Sequence, residues 1–257
     1  MIIPFYQAEK TVVNNLKRVQ GVLEESGHDY EIIAVVDGKV GRTYERAKKI
    51  ASKRIKIVGY QKNHGKGYAL RYGMARSRGE LIGFIDGGED LNPIGLRMLL
   101  AHFEWYDADI IIGSKWHPVS IVSYPWWRRL LSHGYGLLVK ILFGLKIKDT
   151  QLGMKFFRRK VLEDVLPRLL VKKFAVDIEM LAVANRLGYK RIYEAPVELD
   201  WHQIESNISK DLLRSIWEMS MDTLAVFYRL KILRYYDDKS QRKWRYDRDL
   251  NFRVNVG

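Results

Sequence analysis

Short apolar runs alternate with longer amphipathic stretches along the first 112 residues. The runs Ile2 to Phe5, Glu31 to Val36, Ile55 to Tyr60, Leu81 to Ile85 and Asp109 to Ile112 read as strands. They are rich in Ile and Val and show little polar alternation, the pattern of strands covered on both faces. Between them, Val12, Val13, Leu16, Val19 and Leu23 fall on one helical face within Glu9 to Ser26. Tyr44 to Ser52, Tyr68 to Ser77 and Pro93 to Trp105 read as further helices. Strands alternating with helices predict βαβ units, right-handed crossovers and a mostly parallel sheet flanked by helices. Ligands on such sheets lie beyond the strand C-termini. Asp37, Lys66 and Asp86 are all expected near that edge.

The second half changes character. Ile121 to Ile147 carries Tyr124, Trp126, Trp127, Tyr135 and Phe143 with Arg128, Arg129 and Lys140 interleaved. Asp177 to Leu187 reads as a helix, Arg191 to Leu199 as a strand, and Lys210 to Tyr236 as a long amphipathic helix. The mixed-charge tail from Asp237 onward is expected to be poorly ordered in part. The division that follows is a domain over 1–208 and an amphipathic helix with a basic tail over 209–257.

Composition narrows the function classes. Hydrophobic residues make up 47% of the 257, enough for a core, so the chain is not a disordered one. Cysteine is absent, which excludes disulfides and thiolate metal sites and fits a reducing compartment. The opening Met1-Ile2-Ile3-Pro4 reads as a strand rather than a leader. No apolar run approaches the ~20 residues of a membrane-spanning helix. The net charge of +14 points to an anionic partner: nucleic acid, an anionic bilayer or phosphorylated substrates. The plainer reading is a surface solvated by Lys and Arg. No nucleic-acid motif accompanies the charge.

The chemistry concentrates in two stretches. Asn63-His64-Gly65-Lys66-Gly67 is a glycine-rich turn opening a helix, and its amides and lysine suit phosphate. Asp86-Gly87-Gly88-Glu89-Asp90 is a carboxylate cluster at a strand end, which suits a hard cation such as Mg²⁺ or Mn²⁺. The alternatives are a turn needed only for helix packing and an acidic turn that binds nothing.

The order of motifs resembles the family 2 glycosyltransferases of the GT-A fold, and within them the polyprenyl-phosphate sugar synthases of the dolichyl-phosphate glucose and mannose type. The resemblance spans the first 210 residues. Pro4-Phe5-Tyr6-Gln7 stands where the family has Pro-x-Tyr-Asn, beside the nucleobase. Val35-Val36-Asp37-Gly38 matches a strand end whose Asp contacts the base. Asn63 to Gly67 follows Asn-x-Gly-Lys-Gly, and Gly113-Ser114-Lys115 follows Gly-Ser-Arg. Asp149-Thr150-Gln151-Leu152-Gly153-Met154-Lys155 is similar to Asp-Thr-Gln-x-Gly-Phe-Lys of the glucose synthases. Phe174 to Glu179 and Trp201 to Ser206 match in order.

Two departures stand out. Val36 replaces the first of a usual aspartate pair, and the Asp-x-Asp metal motif reads Asp86-Gly87-Gly88. The resemblance then implies a metal held by Asp86 and Asp90, with the diphosphate and water completing the shell and Glu89 in reserve. It implies a nucleotide-sugar site at Pro4, Phe5, Tyr6, Asp37, Lys66, Asp86 and Gly87. Lys115, Arg128 and Arg129 would hold an acceptor phosphate. Asp86, Lys155, Asp149 and Gln151 would serve the transfer itself, Asp149 more as an orienting group than as a base. For Arg128 and Arg129 the alternative is a solvated face.

The implied activity is an inverting, Mg²⁺- or Mn²⁺-dependent transfer of glucose or mannose from UDP or GDP to a polyprenyl (dolichyl) phosphate. Such an acceptor lies in a bilayer. The aromatic and basic mixture at 126–129 and along 210–236 suits attachment to a membrane surface, expected on its cytoplasmic face. The alternatives are a soluble or polysaccharide acceptor, or a degenerate fold that binds lipid or a partner without catalysis.

Overall fold

The computed structural model describes all residues except 40, 124–125, 201–211, 238–243, 251 and 256–257; the side chains at 127–130, 200, 212–216 and 255 also lie outside the description. Seven strands form the central sheet: β1 Ile2–Phe5, β2 Ile32–Asp37, β3 Ile55–Tyr60, β4 Leu81–Ile85, β5 Ile110–Ser114, β7 Met154–Arg158 and β8 Ile192–Pro196. Their spatial order is β3-β2-β1-β4-β7-β5-β8. β7 runs antiparallel to both of its neighbours, and every other neighbouring pair in this sheet is parallel. The helices between the parallel strands are α1 Val12–Glu24, α2 Thr43–Lys48, α3 Lys66–Met74 and α4 Gly95–Trp105.

Alternate residues of each strand feed two cores. Ile2, Ile33, Val35, Phe84, Ile110, Ile112 and Phe157 face one side; Ile3, Ile32, Ala34, Ile111 and Phe156 face the other. The second layer is closed by Val12, Leu16, Val19 and Leu23 of α1 and Leu96, Leu99 and Phe103 of α4. The first is closed by α3, α5 Trp126–Phe143, α6 Arg159–Val165, α7 Val176–Arg186 and α8 Leu212–Phe227. Each large side chain buried this way contributes about 1.5–3 kcal/mol relative to exposure, so the two-sided burial explains the near-continuous apolar strands.

Three features differ from the sequence reading. β7 was not expected, because Lys155 sits in the middle of it, fully buried. The expected strand Arg191 to Leu199 is divided at Val197. β9 Glu198–Asp200 leaves the main sheet to pair with β6 Ile121–Ser123. Part of the tail is an ordered hairpin, β10 Trp244–Asp247 with β11 Phe252–Asn255. Asp247 accepts the Asp249 and Leu250 amides at its turn, and Leu250 and Val254 are buried.

The segment after residue 208 shares the main core. Val226, Leu230 and Tyr236 are buried, and the Tyr236 hydroxyl donates to Glu179 Oε1 at 2.6 Å. No helix among the described residues is long and apolar enough to cross a membrane.

Candidate functional site

A cavity of about 690 Å³ opens beyond the C-terminal ends of β1, β2 and β4. All seven residues expected at a donor site line it: Pro4, Phe5, Tyr6, Asp37, Lys66, Asp86 and Gly87. Asp90 joins them, and Lys173, Phe174 and Glu218 also line it.

The glycine-rich turn is held from both sides. The Asp37 carboxylate accepts the His64 and Gly65 amides at 2.7 and 2.9 Å. The Lys172 carbonyl accepts the Gly67 and Tyr68 amides at 2.8 and 3.3 Å. Gly65 has φ +94°, and a β-carbon there would lie 2.6 Å from the Lys172 carbonyl oxygen. Only glycine fits. Against the expectation that these amides cradle phosphate, three of them, those of His64, Gly65 and Gly67, have partners inside the protein. Asp37 remains on the cavity wall with carboxylate lone pairs to spare.

Lys66 extends from the first turn of α3 into a buried row of alternating charges. Its Nζ lies 2.8 Å from Asp86 Oδ1 and 2.9 Å from Asp177 Oδ2. The other Asp177 oxygen takes the Lys155 ammonium at 2.6 Å, and Lys155 also donates to the Leu152 carbonyl at 2.5 Å. Burial would lower the Lys66 pKa, but Asp177 and Asp86 outweigh it and raise it above the ordinary value. Burial lowers that of Lys155, with Asp177 opposing. Asp177 is thus the hub, 1% exposed at the start of α7. The sequence marked it only as part of a matching stretch, since its partners lie 22 and 111 residues away.

Asp86 stands at the cavity end of this row. Its amide donates to the Gly153 carbonyl at 2.7 Å, and a β-carbon on Gly153 would overlap its carboxylate. Burial pushes its pKa up, Lys66 opposing. Burial also raises Asp90, with Asp86 adding to the shift. Asn15 from α1 donates to the Gly88 carbonyl at 2.6 Å and fixes the loop. Glu89 turns to Asn14 at 3.0 Å and does not line the cavity. A β-carbon on Gly88 would come within 2.4 Å of Asp90 Oδ1. The glycine therefore leaves room for the Asp90 carboxylate.

A resident divalent metal can be tested against these groups. Among the described residues no three His, Cys, Asp or Glu side chains gather as a metal cage. Asp86 Oδ1 is buried and accepts no well-formed hydrogen bond, although Lys66 is near. Two hard carboxylates on an open cavity fit Mg²⁺ or Mn²⁺, which commonly takes one or two carboxylates and completes its shell with phosphate and water.

The remaining expected residues lie behind the cavity. Lys115 pairs with Asp149 at 2.9 Å, buried. Asp149 further accepts the Lys115, Gln151 and Leu152 amides, so its oxygens are taken up in shaping the loop that delivers Gly153. Lys155, Asp149, Gln151 and Lys115 do not line the cavity. Each of the two lysines is paired with an aspartate, Lys115 with Asp149 and Lys155 with Asp177, and the position of Asp149 is that of a group that orients its loop. Gln151 Nε2 is buried without a partner. Arg128 and Arg129 lie in α5, but their side chains, and the stretch Trp201 to Ser206, are outside the described residues. Asn15, Lys173 and Glu218 were not foreseen. They come from distant segments and carry no local signal.

Residues 1–166 match the model of glycosyl transferase family 2. The chain is 29% identical over 223 residues to a dolichyl-phosphate beta-glucosyltransferase of Drosophila melanogaster, covering 80% of this chain and 68% of that protein. It is 28% identical over 260 residues to the dolichyl-phosphate beta-glucosyltransferase of Homo sapiens, covering 91% and 75%. The fold is similar to that of glucosyl-3-phosphoglycerate synthase from Mycobacterium tuberculosis, solved with Mn²⁺, UDP-glucose and phosphoglyceric acid, at TM-score 0.65 and 18% identity, covering 95% of this chain and 82% of that one.

Proposed function

Because the chain belongs to glycosyl transferase family 2, we propose that it transfers glucose from UDP-glucose to a polyprenyl (dolichyl) phosphate with inversion at the anomeric carbon. The observation that carries this reading is the single cavity that gathers the seven expected donor-site residues with Asp90. The acceptor class and the sugar are supported by the relatives named as dolichyl-phosphate beta-glucosyltransferases. The motif Asp149-Thr150-Gln151 adds to the case for glucose over mannose.

In the reaction an acceptor phosphate oxygen attacks the anomeric carbon. The bond from that carbon to the diphosphate oxygen breaks, and the electron pair leaves with UDP. The acceptor is already an anion near neutral pH and needs no general base. The acceptor oxygen is itself the nucleophile, so one in-line displacement inverts the centre. Pro4, Phe5, Tyr6 and Asp37 border the base, and Asp37 has capacity to accept a base N–H. Lys66 sits beside Asp86, where a cationic group offsets the charge gathering on the diphosphate. A divalent ion, held by Asp86 and Asp90, would supply Lewis-acid neutralisation of that leaving group. Asp177 and Lys155 keep Lys66 in place. Lys173, which lines the cavity and pairs with Glu218, meets the incoming phosphate in this reading.

The protein works from the surface of a membrane, on its cytoplasmic face, since such an acceptor is lipid-borne. The outward apolar residues of α5 and α8 support this: Trp126, Leu137, Ile141, Trp217, Met221 and Leu224 are all exposed.

Incubation with radiolabelled UDP-glucose, Mn²⁺ and a polyprenyl phosphate is expected to move label into an organic-extractable, acid-labile lipid. Label that stays in the aqueous phase, while a soluble acceptor is glucosylated, would overturn the assignment.

A further inference from the structure

A second cavity, about 370 Å³, lies next to the first. Lys173 and Glu218 line both and form an ion pair of 2.9 Å, so one pair of side chains divides the two spaces. That pair is largely exposed, with 61% and 40% of the side chains accessible. Exposed pairs of this kind are worth about 0–1 kcal/mol, so it can open without disturbing the fold.

The wall of the second cavity is mixed. Trp217 and Met221 of α8 line it with Leu170 and Val171; its charged lining is Lys172, Lys173, Glu218, Asp222 and Arg229, the last lying 3.9 Å from the buried Glu179 carboxylate. From this cavity an apolar stripe runs outward. Trp217, Met221, Leu224, Tyr228 and Ile232 recur at helical spacing on the outer face of α8 and the turn after it, all exposed. The opposite face of the helix is already spent on the core through Thr223, Val226 and Leu230. A helix with apolar groups on both sides, one of them left exposed among the described residues, calls for an apolar occupant.

We propose that the second cavity and the stripe from Trp217 along α8 form the seat of the acceptor's isoprenoid chain, with the phosphate delivered past Lys173 into the first cavity. The proposal rests on the acceptor reading above. The complementarity is of two kinds. A polyprenyl phosphate has an anionic head and an apolar tail; the path has Lys172 and Lys173 at its inner part, the latter held only by its exposed pair with Glu218, and large apolar side chains from Trp217 outward. It is also continuous with the reaction space, which an unrelated apolar patch would not need to be. The exposed Trp217 indole offers a large, rigid apolar face on which an isoprene unit can pack.

The test uses the full chain with farnesyl phosphate as acceptor and a diazirine-bearing farnesyl phosphate as probe. Trp217→Ala, at a residue 68% exposed, is expected to raise the KM for farnesyl phosphate about tenfold, as truncating an aromatic anchor does. Met221→Glu is expected to act in the same direction. Trp105→Ala, at a residue still more exposed but on α4, serves as the control and leaves this KM alone. Photolysis is expected to label peptides carrying Trp217 and Met221. An unchanged farnesyl-phosphate KM in both α8 variants, or label confined to other elements, overturns the seat while leaving the acceptor class intact. A rise only in the UDP-glucose KM also overturns it. Failure of the unaltered protein to glucosylate any prenyl phosphate overturns the acceptor class, and the seat with it.

Discussion

At the scale of single residues, the site is governed by how charges are neutralised. Asp177 balances two lysines that are almost out of water. Removing one partner of a buried pair leaves an uncompensated charge, at a cost of about 3–5 kcal/mol. Asp177→Asn is therefore expected to lower unfolding stability by that order in urea titrations, and Lys155→Met added to it is expected to restore part of the loss. The missing aspartate of the metal motif makes a second case. Gly88→Asp rebuilds the familiar Asp-x-Asp spelling, yet its β-carbon falls within 2.4 Å of Asp90 Oδ1. On the proposed reading, in which Asp90 is the second carboxylate for the metal, the substitution is expected to weaken Mn²⁺-dependent UDP binding in calorimetry rather than strengthen it, because it displaces that carboxylate. These relations explain what could be read from the chain. Pro4, Asp37, Lys66 and Asp86 each sit in a contiguous motif, and motifs are local. Asp177 and Asn15 act through partners far away in sequence, and Lys115 and Lys155 were legible as cations but not as cations already matched.

At the scale of elements, the parallel strands were legible because burial on both faces demands an unbroken apolar run. β7 escaped because its buried lysine, Lys155, is satisfied only in three dimensions. A different carboxylate fastens the sheet at its other end. Glu31 takes the Lys56 ammonium at 2.6 Å and the Arg78 amide at 2.5 Å, joining β2, β3 and the turn before β4. Burial pushes the Glu31 carboxyl up, but the Lys56 hydrogen bond, the Arg78 amide and the Lys56 charge outweigh it and hold it below the ordinary 4.5. The folded state therefore gains stability above the unfolded pKa and loses it as pH falls through the lowered folded value. Glu31→Gln is expected to be less stable than the parent at neutral pH, with the two curves converging below about pH 4 in urea midpoints taken against pH. The C-terminal elements behave as part of the same body. Tyr236→Phe removes a 2.6 Å bond to a fully buried carboxylate. Thermal unfolding is expected to show a loss of about 1–3 kcal/mol, which a loosely attached tail would not produce.

At the scale of the whole molecule, the charge of +14 and the exposed apolar faces of α5 and α8 act together. Each basic side chain near an anionic leaflet adds about 1 kcal/mol, and the attraction fades within a Debye length. Flotation with phosphatidylserine liposomes is expected to carry the protein upward at low salt, to release much of it at high salt, and to leave it behind with neutral liposomes. Residence in the soluble fraction throughout would count against membrane attachment.

The reversed strand has a consequence for biosynthesis. Because β7 is wedged between β4 and β5, the nascent chain emerges with β4 as a bare edge until residue 158 has left the ribosome. An uncovered apolar edge invites pairing with a neighbouring chain. A fragment ending near residue 120 should therefore form inclusion bodies, whereas one that includes β7 should not suffer from that particular defect. The same late insertion brings Gly153 beneath Asp86, so the half-made protein has no working pocket to fill prematurely.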